Sequence, residues 1–257
     1  MTRKNLAIGT FVVALAALAS FATAGDLFTD NYDRTFPLAE GGSVSLENIN
    51  GDVVVEVWDS PEVRVQAEKK ASSQELLDAL EIEVDVETNA VLIDTKYPKS
   101  RHGSWGGDRH MSVSFTLTVP RSSALDDIDL VNGNLDVRGV RGGISADCVN
   151  GIVTIQDVAG EIEVSTVNGA IQAELRDLAE VSDVDLDSVN GAVRLDLPAY
   201  ANADLEAETV NGEITNGFGL SVKKGKYVGA SMRGEVGGGG TRVAVETVNG
   251  RISIEAM

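Results

Sequence analysis

A β-branched residue followed by Asn-Gly recurs seven times, and no other feature of this 257-residue chain restricts its fold as much. The copies are Ile49-Asn50-Gly51, Val131-Asn132-Gly133, Val149-Asn150-Gly151, Val167-Asn168-Gly169, Val189-Asn190-Gly191, Val210-Asn211-Gly212 and Val248-Asn249-Gly250. From Asn132 onward the intervals are 18, 18, 22, 21 and 38 residues. A finer period lies inside them, because Gly133, Gly142, Gly151, Gly160 and Gly169 are each nine apart. With each Gly as position one, aliphatic residues fall at positions three, five and eight. They are Leu135, Val137 and Val140; Ile144, Ala146 and Val149; Val153, Ile155 and Val158; Ile162, Val164 and Val167.

The step from three to five is strand alternation. The step from five to eight would change face in a straight strand, so a bend between them is expected, with all three side chains inward. An acid at Val149 or Val167 is then expected to place an unpaired charge in the core and to unfold the whole stack. Asn-Gly suits a corner because both residues tolerate positive φ. The same dipeptide is a strong hairpin signal, which makes a meander of hairpins the rival architecture. One nine-residue unit buries too little apolar surface to offset the ordering of its own backbone, so the units must stack. Stacking would align the Asn side chains into a ladder of amide hydrogen bonds; a ligand-binding row of Asn is the other reading.

These patterns predict an all-β chain, a parallel β-helix or β-solenoid with rungs of about 18–22 residues, to which the family resemblance given below adds a right-handed sense. One short helix is expected near residues 73–80, opened by a capping box in Ser72-Ser73-Gln74-Glu75. The N-terminal half, 25–120, is less regular than 121–257, and both are expected to form one domain.

The first 24 residues read as a secretory signal peptide. Arg3 and Lys4 precede an uncharged apolar run from Leu6 to Ala22, and Ala22-Thr23-Ala24 fits the small-x-small cleavage rule. Location in a periplasm or outside the cell follows as an expectation, as does the absence of a membrane span after cleavage. Without Arg3 and Lys4 the formal charge moves from −19 to −21, which argues against nucleic acid as a partner. One Cys excludes an internal disulfide, and two His leave almost nothing from which to build a Cys/His zinc site.

Several segments together carry a family resemblance. They are Asn48-Ile49-Asn50-Gly51-Asp52-Val53, Val57-Trp58-Asp59, Thr118-Val119-Pro120, the serial Val-Asn-Gly, and Gly237–Gly240 followed by Thr247-Val248-Asn249-Gly250-Arg251-Ile252. Across nearly all of residues 36–257 the chain resembles the bacterial "putative adhesin" family, a domain of unknown function. That resemblance implies a right-handed β-helix-like domain of the cell envelope and supplies no catalytic residues.

Chemistry is sparse. No Gly-x-Ser-x-Gly, phosphate loop, complete dinucleotide fingerprint or His-Glu-x-x-His occurs. No cofactor is implied. Asp183, Asp185 and Asp187 would form one side of a calcium site or, more simply, the solvated face of a strand. Cys148 falls in a column of small residues with Thr166, Ser188, Thr209 and Thr247, which reads as packing rather than as a nucleophile. The segment 96–110 is the exception in an acidic chain. There Tyr97 and Trp105 would stack on a sugar or aromatic ligand, Arg101 and Arg109 would hold an anion, and His102 and His110 complete the set. Its other reading is a long connection between strands. A second basic patch is Lys223-Lys224-Gly225-Lys226. The expected function is a non-enzymatic, adhesin-like structural or binding module whose partner is an envelope protein or a glycan. A polysaccharide lyase or hydrolase on the same scaffold is the alternative.

Overall fold

The structure, a computed structural model, describes residues 27–98 and 110–257. In chain order, the N-terminal half contains β1 (Phe28–Pro37), β2 (Ser43–Asn50), β3 (Val53–Trp58), β4 (Glu62–Ala71), α1 (Gln74–Asp78), β5 (Glu81–Val86), β6 (Ala90–Lys96) and β7 (Met111–Pro120). The serial part follows as β8 (Ala124–Asn132), β9 (Leu135–Arg138), β10 (Ile144–Asn150), β11 (Val153–Gln156), β12 (Gly160–Asn168), β13 (Ile171–Glu174), β14 (Val181–Asn190), β15 (Val193–Leu197), β16 (Ala203–Asn211) and β17 (Ile214–Asn216). The chain ends with β18 (Val222–Lys224), β19 (Ala230–Val236), β20 (Thr241–Asn249) and β21 (Ile252–Ala256).

Asn-Gly does not close hairpins. It joins two strands that lie in different sheets, such as β10 in one and β11 in the other. Each strand then pairs in parallel with its equivalent in the next pair: Asn150 lies opposite Asn168, and Asn168 opposite Asn190. The result is β-solenoid-like, two large sheets facing each other across an aliphatic interior. Antiparallel pairs occur only toward the ends, in β1·β4, β4·β7, β5·β6, β16·β19 and β18·β19. The hairpin meander is thereby overturned for the serial region.

The stacking order departs from chain order at both ends. The sheet orders place β6 and β7 outside β2 and β3, and place β20 and β21 between β14–β15 and β16–β17. The last Asn-Gly of the sequence is therefore the second to last of the stack.

Positions three and five point inward in the serial pairs: Leu135, Val137, Val153, Ile155, Val193, Leu195, Ile252 and Ile254 are all buried. Position eight corrects the sequence reading. Val140 and Val158 are buried, in the turns that follow the short strands β9 and β11. Val149 and Val167 are instead 38% and 41% exposed. The reason is that β10 and β12 run straight on to their Asn without the expected bend. Strict alternation then turns Cys148 and Thr166 inward and the valines outward. The nine-residue period thus joins two unlike arms, and an acid at Val149 or Val167 would meet solvent.

The corner glycine meets the expectation of positive φ at Gly51 and Gly151 (126° and 155°) and not at the other five corners. No Asn of the seven has positive φ; among described residues the only non-glycines that do are Asp127 and Asp157. The Gly is required by close approach. A Cβ at Gly133, Gly151, Gly169, Gly191, Gly250 or Gly212 would overlap the carbonyl oxygen of the corner Gly in the neighbouring pair. That same carbonyl accepts a hydroxyl in several pairs: Ser188 Oγ donates to Gly169 O (3.2 Å), Thr247 Oγ1 to Gly191 O (3.1 Å) and Thr209 Oγ1 to Gly250 O (3.1 Å). Thr166 Oγ1 is buried without a partner.

The expected amide ladder is present and unbroken. Each Asn donates Nδ2 to the Oδ1 of its neighbour, in the spatial order Asn132 to Asn50, Asn150 to Asn132, Asn168 to Asn150, Asn190 to Asn168, Asn249 to Asn190 and Asn211 to Asn249, at 2.8–3.1 Å. The helix α1 is shorter than expected, and its cap is Ser73, whose Oγ accepts from Leu76 N–H (3.2 Å). Ser73 has Leu76 three residues on, so the acid of the anticipated capping box has no reciprocal place.

Two contrasting substitutions test this corner. Gly169→Ala is expected to destabilise by about 3 kcal/mol or more, because rigid backbone blocks the added Cβ. Thr247→Val is expected to cost about 1 kcal/mol, while Thr166→Val, which removes an unpaired buried hydroxyl, is neutral or stabilising. Chemical denaturation of the three variants checks the ranking.

Candidate functional site

Straight strands that end in β-branched-Asn-Gly place three parallel columns on the outer face of one sheet. The Asn ladder is the first. The second is a stripe of Ile49, Val131, Val149, Val167, Val189, Val248 and Val210, all exposed. The third lies two residues earlier and reads, in stacking order, Glu47, Asp129, Asp147, Ser165, Asp187, Glu246 and Glu208. Adjacent strands are about 4.8 Å apart, so neighbouring carboxylates stand close together, except where Ser165 separates Asp147 from Asp187 and donates its hydroxyl to Asp147.

At the C-terminal end a concavity forms over these columns. The antiparallel pair β18–β19 continues the sheet beyond β16 and curls across its outer face. It encloses a groove of about 680 Å³. The floor is the stripe residues Val167, Val189, Val248 and Val210; the carboxylates of Asp187, Glu246 and Glu208 line it, and Lys223, Lys224 and Val228 come from the β18–β19 side. Burial by the groove, then the charges of Asp185, Glu246 and Glu163, push the Asp187 carboxyl up to about 6; Arg242 opposes them. Asp129 moves in the same direction, from burial first and then from Asp147, Glu47 and Asp127. Asp183 and Asp185 are both ion-paired with Arg242. No group of three or more His, Cys, Asp and Glu among the described residues is arranged to hold a metal ion.

Of the residues singled out in 96–110, Arg101, His102, Trp105 and Arg109 lie outside the described residues. His110 is exposed, and its carbonyl accepts from Ser72 N–H (2.9 Å). Tyr97 packs against the core. Its hydroxyl accepts from Asn50 N–H (3.1 Å) and lies 3.1 Å from both Asn50 O and Asn48 Oδ1. Asn48 is itself buried and donates to Val113 O (2.9 Å). Tyr97 and Asn48 thus seal the ladder where the next pair, β6–β7, carries no Asn-Gly. Burial raises the Tyr97 phenol above its ordinary range. Cys148 is buried and its thiol is pushed up to about 12, chiefly by desolvation.

The groove was not singled out from the sequence. Its signal was nevertheless there: the residue before each Asn sits one step out of phase with the buried column, and an acid repeats two positions before it.

Residues 143–255 match the family described as Toastrack DUF4097, a domain of unknown function. The chain is similar in fold to a crystal structure described as "a putative cell adhesion protein" from Clostridium sporogenes. That likeness has a TM-score of 0.55 at 13% identity and covers 90% of this chain and 100% of that one. Weaker likenesses, at 11% identity, link it to "a putative adhesin" of Bacteroides fragilis (TM-score 0.30, 88% of this chain and 97% of that chain) and to a "putative lipid binding protein" of Parabacteroides distasonis (TM-score 0.29, 89% and 97%). No match was found among curated proteins. Among the described residues no helix is long and apolar enough to cross a membrane.

Because Asp187 takes up its proton more readily in the folded chain than in the unfolded one, the folded state binds more protons between about pH 4 and 6. Stability therefore falls as pH rises through that window. Asp187→Asn is expected to melt higher than the parent at pH 7 and to show a flatter dependence between pH 7 and 5, read by thermal melts across the range.

Proposed function

We propose that the protein is a non-enzymatic, adhesin-like binding module of the cell envelope, acting in the periplasm or at the surface, and that the groove over the valine stripe is where it binds. The carrying observation is the groove itself, a concave apolar floor on a rigid two-sheet wall with charged side chains at its margins. Exposed aliphatic residues gathered in a concavity are the usual mark of a binding surface. The partner is an envelope protein or glycan. The absence of enzymatic action is part of the proposal, supported by a groove lining of aliphatic, carboxylate, lysine and hydroxyl side chains in which, among the described residues, no His or Cys stands. The cell-envelope location is supported by the apolar leader and by the cell-adhesion description of the similar fold. We also infer right-handed winding, the hand of nearly all parallel strand–crossover–strand connections, with rungs of 18–22 residues, the latter supported by the offsets of 18 and 22 between paired Asn in successive pairs.

Val248→Asp tests this. Val248 is exposed, so its melting temperature should stay within the range of ordinary surface changes, about 0.5 kcal/mol. Capture of glycans on an array, or of partners from envelope extract, should be lost. Released oligosaccharide, or capture that survives the substitution, would overturn the reading.

A further inference from the structure

A β-sheet edge is a row of unpaired N–H and C=O groups, and proteins blunt such edges with short strands or clustered charge. Four strands end the two sheets here: β1 and β17 in one, β18 and β5 in the other. Three are blunted. β17 and β18 have three residues each, and β18 carries Lys223 and Lys224. β5 alternates Glu81, Glu83 and Asp85 along its short run. β1 differs: it has ten residues, nearly all exposed, and among the described residues it pairs only with β4.

The sequence of β1 is complementary to itself. We propose that β1 docks on β1 of a second copy of this chain, antiparallel and centred on Tyr32. In that register Phe28 faces Phe36 of the other copy, Asp30 faces Arg34, Tyr32 faces Tyr32, Thr29 faces Thr35 and Asn31 faces Asp33. Each pair is of a kind that stabilises neighbouring strands: aromatic with aromatic, acid with base, Thr with Thr, amide with carboxylate. The dyad repeats all but the central pair, as a two-fold contact requires. Two nearby registers set like charges together. A shift by one residue toward Phe28 sets Asp30 against Asp33, and a shift by two toward Pro37 sets Asp33 against itself. Pro37, which has no N–H to donate, falls just outside the paired stretch.

The monomer leaves the needed groups available. Arg34 stacks over the Tyr32 ring at 5.2 Å and has no carboxylate partner among the described residues. Asp30 is paired with Lys69 through Oδ2 at 2.7 Å, yet its side chain remains 54% exposed. On the other face, Asp33 holds Arg64 through two hydrogen bonds of 2.9 and 2.6 Å, which stiffens the strand that would dock. The two copies would join their sheets into one continuous sheet across the dyad.

Cysteine cross-linking reads the register directly. Directly opposed residues in antiparallel strands have Cα atoms about 4.5–5.5 Å apart, within disulfide range. The native Cys148 is buried and does not compete. In the exported protein, Tyr32→Cys should give a covalent dimer on mild oxidation. Thr29→Cys alone should not, whereas Thr29→Cys mixed with Thr35→Cys should cross-link. Light scattering of the parent protein should give twice the mass of one chain, and Arg34→Asp should return it to a single chain with an unchanged melting temperature. A monomeric parent together with no cross-link in the Tyr32→Cys variant would overturn the proposal. So would cross-linking of Thr29→Cys alone as readily as Tyr32→Cys.

Discussion

The backbone of one corner touches the backbone of the next, and the rest of the structure depends on that approach. The carbonyl oxygen of each corner Gly occupies the space where the neighbouring corner's Cβ would stand. Only a residue without a Cβ permits the pairs to close to sheet spacing there. With that space conceded, the oxygen has room for a hydroxyl from the inward residue two positions before the Asn, and Ser188, Thr247 and Thr209 supply one. The Asn amides beside it then come within bonding distance without further movement. Three columns of unlike chemistry are thus one consequence of a single contact.

The sequence made the interior of this fold legible because aliphatic side chains at positions three and five have no other place to go. Position eight was misread at Val149 and Val167, and the error is instructive. Periodicity reports which positions are apolar, while alternation decides which of them face inward, and a straight strand from Ile144 to Asn150 puts Cys148 inside and Val149 outside. The small-residue column of Cys148, Thr166 and Ser188 was visible, but nothing in the sequence says that small polar residues there are buried against a carbonyl. The stacking order was not legible either. β20 inserts between β14 and β16 through pairings such as Val184 with Val243, and no local signal distinguishes that register from pairing with the preceding strand.

An interior held by aliphatic stacking leaves the outside free to repeat, and repetition has an electrostatic consequence. Parallel in-register pairing sets like residues side by side, so one acid in the repeat becomes a row of acids. Like charges directly opposite each other cost stability. The chain interrupts the rows: Ser165 stands between Asp147 and Asp187, and Arg242 sits beside Asp183. At Asp187, which lines the groove and has Glu246 on its other side, the carboxyl is still pushed up, by burial first and then by the charges of Asp185, Glu246 and Glu163.

The ends explain why that surface becomes a groove at only one place. If the pairs stacked in chain order, β16 and β17 would be followed directly by β20 and β21, and the chain between them would have to pass around the stack. Insertion of β20 before β16 instead leaves β16 outermost, with its free edge taken by β19 and then β18. That antiparallel pair follows the twist of the sheet and folds over Val248 and Val210, so the groove is a product of the displaced last pair. At the opposite end the displaced pair β6–β7 lets β4 and then β1 extend the other sheet. No further strand among the described residues covers β1, which makes one terminus concave and the other a bare edge. The Asn ladder runs between these two ends, from Asn50 beside the displaced pair β6–β7 to Asn211 beside the groove.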